Sequence, residues 1–343
     1  MTGSGSILVQ GGDGGQQEGG GGSGGRISVY LESPKAFTGK VVVRGGDGGP
    51  GSQPGGSGTA YWQESINGVV ASNLYVDNRG ALPEFPQVTL VNETSSRHHF
   101  EELHLLGSSH LKFVGDVVVL IDRLVSGTGS TITIHDGMAL SVNEGFTEHT
   151  FYCSFKLSPD GELRLPARAT FLGDANSFSG NLTNLQDLVV APYKSLVLSP
   201  LARTALFVDG SYQFSSPRGA YKLSSITLQH HATLILSEGY QTEEPLAISL
   251  LELDYGSIMT AYNLMISGSD MVLNPGSTLN LQVVDTDQER DADTGTGAGY
   301  GGFGGSSSGI TAGYPYGNYT AALTPVVGEV KGHQEFQEEV VDC

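Results

Sequence analysis

Seven times between residues 99 and 285 the chain repeats one short unit: an alternating apolar run, a polar turn, and a second such run. Leu103 to Leu106 and His110 to Phe113 flank Gly107-Ser108-Ser109. Leu124-Val125 and Thr131 to Ile134 flank Ser126 to Ser130. Ile226 to Leu228 and Ala232 to Leu236 flank Gln229-His230-His231. Runs of this length with period-two alternation are strands, and no segment longer than about ten residues keeps a helical period. With Leu111, Ile132, Leu163, Leu196, Leu234, Ile258 and Leu279 as the inward residues, the spacings are 21, 31, 33, 38, 24 and 21. A floor near 21 fits coils of about two dozen residues that carry surface insertions. A single coil cannot bury its inward row, so coils must stack. The expected fold is therefore all-β, a parallel β-helix (β-solenoid). A β-sandwich is the alternative, although its turns should fall every 8–12 residues without a repeated strand-turn-strand unit.

Glycine adds a second constraint, with 50 of 343 residues concentrated in two blocks. In the first, Val9-Gln10-Gly11-Gly12-Asp13-Gly14-Gly15 recurs 34 positions later as Val43-Arg44-Gly45-Gly46-Asp47-Gly48-Gly49, and Gly22-Ser23-Gly24 recurs as Gly56-Ser57-Gly58. A constant offset between strand-forming flanks favours ordered excursions over a flexible linker. Extended polyproline-II segments can lie side by side where no Cβ keeps the backbones apart. The expected organisation is a glycine-rich unit over 1–65, a solenoid over 66–285, an acidic and glycine/aromatic loop over 286–320, and a tail over 321–343.

The formal charge of −19, from 36 acidic and 17 basic residues, excludes binding to nucleic acid through phosphate neutralisation. No window of 18 apolar residues predicts a membrane span, and residues 1–25 lack the basic and apolar pattern of a secretory signal. Cys153 and Cys343 are the two cysteines. Their pairing stays open, and the terminal Cys343 suggests a segment cut from a longer chain. Sequons at Asn92, Asn181 and Asn318, together with acidic, Lys-poor composition, point to an extracellular or cell-surface setting.

Candidate chemistry is sparse. Asp285, Asp287, Glu289, Asp291 and Asp293 alternate along the chain and form a weak Ca²⁺ candidate, since hard cations take carboxylate oxygens; a solvated acidic linker is the competing reading. Otherwise no cofactor is expected. Asp13 and Asp47 read as residues that hydrogen-bond backbone turns or bind Ca²⁺ weakly. His98, His99, His104, His110, His230 and His231 lack the spacing of a metal site. Tyr61 and Trp62 are candidates for stacking on a glycan, with a role in capping the solenoid interior as the alternative.

The run Gly19 to Tyr30, followed by Gly45 to Gly49 and Gly55 to Tyr61, resembles glycine-rich repeats of large extracellular and cell-surface proteins. The middle of the chain resembles pectin-lyase-like right-handed β-helices. Arg164-Leu165-Pro166-Ala167-Arg168 is similar to the Arg-x-Pro-x-x-Arg stretch of pectate lyases but one residue shorter, and the motifs of polygalacturonases are absent. These resemblances imply a non-enzymatic structural or adhesive segment that associates with itself or with other matrix proteins, and with glycans. The alternative they imply is a glycan-binding or Ca²⁺-dependent lyase-like β-helix using Arg164 and Arg168.

Overall fold

The computed structural model describes residues 1–15, 19–78, 88–91, 96–143, 145–198, 205–208, 211–214, 223–236, 246–261 and 266–281, with short strands at 299–300 and 315–316. All regular elements among them are strands. Three sheets wind into a β-solenoid of about seven turns. The first has nine parallel strands, from Val88–Val91 through His110–Phe113, Thr131–Ile134 and Ser154–Leu157 to Thr278–Leu281. The second has eight, from Arg26–Leu31 to Asn181–Thr183, and the third six, from Glu148–Phe151 to Ile266–Leu273. Each strand pairs with its equivalent one coil later, as in Leu111 with Ile132 and Ile132 with Phe155.

This register corrects the inward row expected from sequence. Leu163 lies in the second sheet, opposite Leu140. The first sheet instead continues from Ile132 to Phe155, and Asn176 pairs with Leu196, so the long intervals of 31 and 33 resolve into ordinary coils. Ile258 is 41% exposed, and its neighbour Met259 fills the interior. Side chains alternate along a strand, so an assignment displaced by one residue puts the wrong face in the core.

The core is a continuous column. Leu111, Ile132, Phe155 and Leu196 come from the first sheet, Val119 and Leu140 from the second, and Phe171, Leu188, Ile226 and Leu251 from the third. Midway, Phe151 meets Phe155 edge-on at 5.2 Å and Phe171 at 5.8 Å, and Phe171 meets Phe178 at 5.4 Å. Cys153 lies in this column, fully buried, and desolvation pushes its thiol pKa up to about 12. Cys343 is outside the described residues.

The N-terminal glycines are ordered in a different way. Segments 9–15, 19–25, 43–49 and 52–58 run extended and exchange hydrogen bonds at three-residue intervals. Gly11 N donates to Arg44 O and Gly14 N to Asp47 O; Gly22 N donates to Gly12 O and Gly25 N to Val9 O; Gly55 N donates to Gly46 O and Gly58 N to Val43 O. Three residues per turn is the polyproline-II screw, in which every bond must be made between segments because none forms within one. Close approach requires glycine: a Cβ on Gly24 would enter the contact shell of the Val43 carbonyl oxygen. The 34-residue offset reappears as physical pairing, Ile7 with Val41, and Asp47 N with Asp13 Oδ1 at 2.9 Å.

This bundle seats on the first coil. Thr89 Oγ1 donates to Ser57 O at 2.7 Å, Arg26 donates to Leu90 O at 2.7 Å, and Gly45 N donates to Asn78 Oδ1 at 3.0 Å. Strands Thr59–Ile66 and Val69–Asp77 form the single antiparallel pair of the second sheet, turning at Asn67-Gly68 with φ of 51° and 79°. Two consecutive positive φ values match the type I′ hairpin that Asn-Gly favours. The boundary expected at 65/66 therefore falls inside a hydrogen-bonded hairpin, and the second sheet runs without a break from glycine-rich unit to solenoid. The boundaries at 285/286 and 320/321 lie outside the described residues.

Candidate binding surface on a ladder of turns

Where the third sheet passes into the first, four successive coils make the same four-residue turn. Val190, Leu228, Leu253 and Leu273 end the incoming strands in register. The turns that follow are Ala191-Pro192-Tyr193-Lys194, Gln229-His230-His231-Ala232, Asp254-Tyr255-Gly256-Ser257 and Asn274-Pro275-Gly276-Ser277. Each closes with a first-to-fourth bond: Lys194 N to Ala191 O, Ala232 N to Gln229 O, Ser257 N to Asp254 O, and Ser277 N to Asn274 O. The third position has φ of 59° at Tyr193, 55° at His231, 68° at Gly256 and 77° at Gly276. Closure of this kind with a left-handed third residue marks a type II turn, which calls for glycine there. Two of the four use glycine. The other two place a bulky ring in the same conformation, at a cost of about 1 kcal/mol or more.

Those rings form an exposed stack. Tyr193 and His231 lie 5.2 Å apart and nearly parallel, and His231 meets Tyr255 edge-on at 5.5 Å. Tyr193 is 75% exposed and Tyr255 52%. Each ring leans over the third position of the next turn: a Cβ on Gly256 would run into the His231 imidazole, and one on Gly276 would lie 3.4 Å from the Tyr255 ring. Polar groups flank the stack. His230 Nδ1 and Asp254 Oδ2 are 2.6 Å apart, Tyr255 N donates to Asp254 Oδ1 at 2.7 Å, and Lys194 pairs with Asp174. The Tyr255 amide, followed by His230, holds the Asp254 carboxyl below the usual range.

The residues singled out by sequence fall elsewhere. Trp62 is buried, stacked on Phe37 at 6.0 Å and covered by the Lys35 ammonium at 4.1 Å, so no face of its indole is open to a sugar. The glycan-stacking reading of Trp62 is corrected accordingly, because the segment carrying Lys35 and Phe37 folds over it. Tyr61 is half-buried against the end of the core, 6.5 Å from Phe100. Arg164 ends a strand of the second sheet and Arg168 begins one of the third, with buried Leu165 between them. Asn181 is half-exposed in strand Asn181–Thr183. Asn92, Asn318, Asp285, Asp287, Glu289, Asp291 and Asp293 lie outside the described residues. Among the described residues no three His, Cys, Asp or Glu side chains group closely enough to hold a metal.

Most histidines outside the ladder have structural partners. His98 packs near Phe100 and Phe113, His99 reaches Asp122 at 2.9 Å, His104 stacks on Tyr75 at 4.2 Å, and His110 meets Thr133 Oγ1 at 2.7 Å. Burial holds His104, His110 and His149 below the ordinary imidazole pKa, with Lys35 assisting at His104 and Lys156 and Lys112 at His110. The unfolded chain then binds more protons near pH 6, so this contribution is complete above about pH 6.5 and is lost as pH falls below it. Thermal denaturation is expected to show a lower Tm at pH 5 than at pH 7.5, with a smaller drop in His149→Gln. An identical drop in the variant would remove His149 from this account.

A cavity of about 530 Å³ lies between the glycine bundle and strand Val88–Val91, lined by backbone of Gly21, Gly24 and Gly55 and by Arg26 and Leu90. Its one charged side chain, Arg26, donates to the Leu90 carbonyl. No protein-family model, curated protein or solved structure matches this chain.

Proposed function

We propose that this chain is a non-enzymatic structural and adhesive module of a large extracellular or cell-surface protein, associating through one end of its solenoid. The observation that carries this reading is the inequality of the two ends. The glycine bundle covers the first coil through Ser57, Arg26 and Gly45. The last described coils leave Met271 48%, Leu273 50% and Leu281 58% exposed. Among the described residues no strand follows Ile266–Leu273 or Thr278–Leu281 in its sheet, so this coil presents an apolar row and strand-edge amides and carbonyls of the kind that template further strands. The acidic composition and the sequons at Asn92, Asn181 and Asn318 support the extracellular setting.

Sedimentation velocity over a concentration series, with electron microscopy of the same samples, tests the reading. Concentration-dependent oligomers or fibres are expected, with no sugar released from a polysaccharide panel with or without Ca²⁺. Monomers at the highest concentration, or release of unsaturated sugar, would overturn it.

A further inference from the structure

The surface that receives the open end lies on the same chain, an inference that rests on the adhesive reading and names its partner. We propose that this partner is a second copy, docked head to tail, with its Ile266–Leu273 edge added antiparallel to the Arg26–Leu31 edge. The glycine bundle seats on Asn78 and on Leu90 of the first sheet. The second sheet runs on to Arg26–Leu31, after which no strand follows among the described residues. Thr59 N donates to Gly25 O, so alternate peptide groups turn toward Thr59–Ile66 and those of Ser28 and Tyr30 turn away. Ser28 pairs with Tyr61, Tyr61 with Leu74, and Leu74 with buried Leu103, which places Ser28 and Tyr30 on the core face. There the rings of Phe113, Phe100, Tyr61 and Tyr30 follow one another at 6.2, 6.5 and 5.9 Å, and the last is 67% exposed. The core column therefore reaches this edge and ends on an exposed ring.

The far end complements it in peptide phase, strand direction and charge. Asn274 N donates to Leu253 O, which turns the peptide groups of Met271 and Leu273 outward. Their side chains continue the row of buried Leu251 and Leu253 and are half exposed. In an antiparallel pair, residues that exchange both bonds stand directly opposite with side chains on one face. Ser28 and Tyr30 can thus meet Met271 and Leu273 with both core rows aligned. Head-to-tail stacking supplies the direction, because the hairpin at Asn67-Gly68 reverses Thr59–Ile66, and Arg26–Leu31 with it, relative to Val69–Asp77 and Arg97–Leu106. A copy stacked in the same sense along the axis brings a solenoid strand against this reversed one. Charge selects the polarity. Residues 19–44 carry Arg26, Lys35, Lys40 and Arg44 against Glu32, whereas 246–261 and 266–281 carry Glu252, Asp254 and Asp270 without Lys or Arg. Two tail edges would also pair in phase, but they would set like charges together. A head-to-tail contact is heterologous, so it repeats into a filament unless its rotation closes a ring.

Sedimentation velocity of the full chain and of two edge variants tests the proposal. Ser28→Pro and Met271→Pro each remove an outward amide while leaving the internal ladder bonds in place. The parent is expected to form a concentration-dependent series of oligomers. Each variant alone is expected to stay monomeric at the same concentrations. An equimolar mixture is expected to give dimers and nothing larger, since one variant keeps its tail edge and the other its head edge. Where a proline lowers Tm, Tyr30→Asp and Leu273→Lys replace the pair, each setting a charge in one exposed row that repels the opposite end. Dimers in either variant alone would reveal pairing of like ends. Monomers in the mixture, or parent-like assembly of both variants, would place the contact elsewhere. Each of these results overturns the proposal and leaves the adhesive reading standing, whereas a monomeric parent would remove the adhesive reading and this proposal with it.

Discussion

Gly24→Ala is expected to destabilise the N-terminal bundle by about 3 kcal/mol, at the upper end of what overpacking costs. The added methyl would overlap the Val43 carbonyl oxygen and approach the Gly58 amide nitrogen to 2.5 Å. Both atoms belong to one hydrogen bond, Gly58 N to Val43 O at 2.6 Å, so relieving the overlap separates two segments of the bundle. Gly12→Ala supplies the control, since a Cβ there meets nothing within 4 Å. That change is expected to be neutral or stabilising by a few tenths of a kcal/mol, because alanine restricts the unfolded chain more than glycine does. Hydrogen exchange at the Gly58 amide reads the difference directly: fast exchange in Gly24→Ala and parent-like protection in Gly12→Ala. Parent-like protection in both would mean that the four segments do not pack as described.

The solenoid core offers the second large effect. Phe155→Ala removes a fully buried ring held between Phe151 at 5.2 Å and Phe171 at 6.4 Å, and is expected to cost about 3–5 kcal/mol. A paired comparison tests the register at the other end. Met259→Ala, in the core, is expected to cost about 2–5 kcal/mol. Ile258→Ala, one residue earlier and 41% exposed, should fall within about 0.5 kcal/mol of the parent. Urea midpoints for the three variants check these values, and a larger loss from Ile258 than from Met259 would mean that the strand is assigned one residue out of step.

Much of the architecture was legible in the residues because it follows from local rules. Alternating runs such as Thr131 to Ile134 can bury one face only as strands, and seven such units without helical segments leave stacking as the way to complete a core. The 34-residue offset likewise anticipated the side-by-side pairing of Ile7 with Val41. The readings that failed depended on which strand lies next to which. Leu163 has the same alternation as Phe155, and only pairing with Leu140 assigns it to the second sheet. The Asn67-Gly68 hairpin has a local signal, an Asn-Gly pair between two strand-forming runs, but that it carries the second sheet from the glycine-rich unit into the solenoid depends on pairing with Arg97–Leu106. The exposed stack was less accessible still. Tyr193, His231 and Tyr255 are separated by 38 and 24 residues, and nothing in their neighbourhoods distinguishes them from ordinary turn residues.

By itself, then, the sequence determined the element type, the coil length and the need for glycine in the bundle, since alternation, turn chemistry and the missing Cβ act within a few residues. Tertiary structure decided the register, the burial of Trp62 beneath Lys35 and Phe37, and the alignment of three distant rings on one corner. Those outcomes arise between coils, where insertions of unequal length separate neighbours along the chain and backbone hydrogen bonding across about 4.8 Å brings them together.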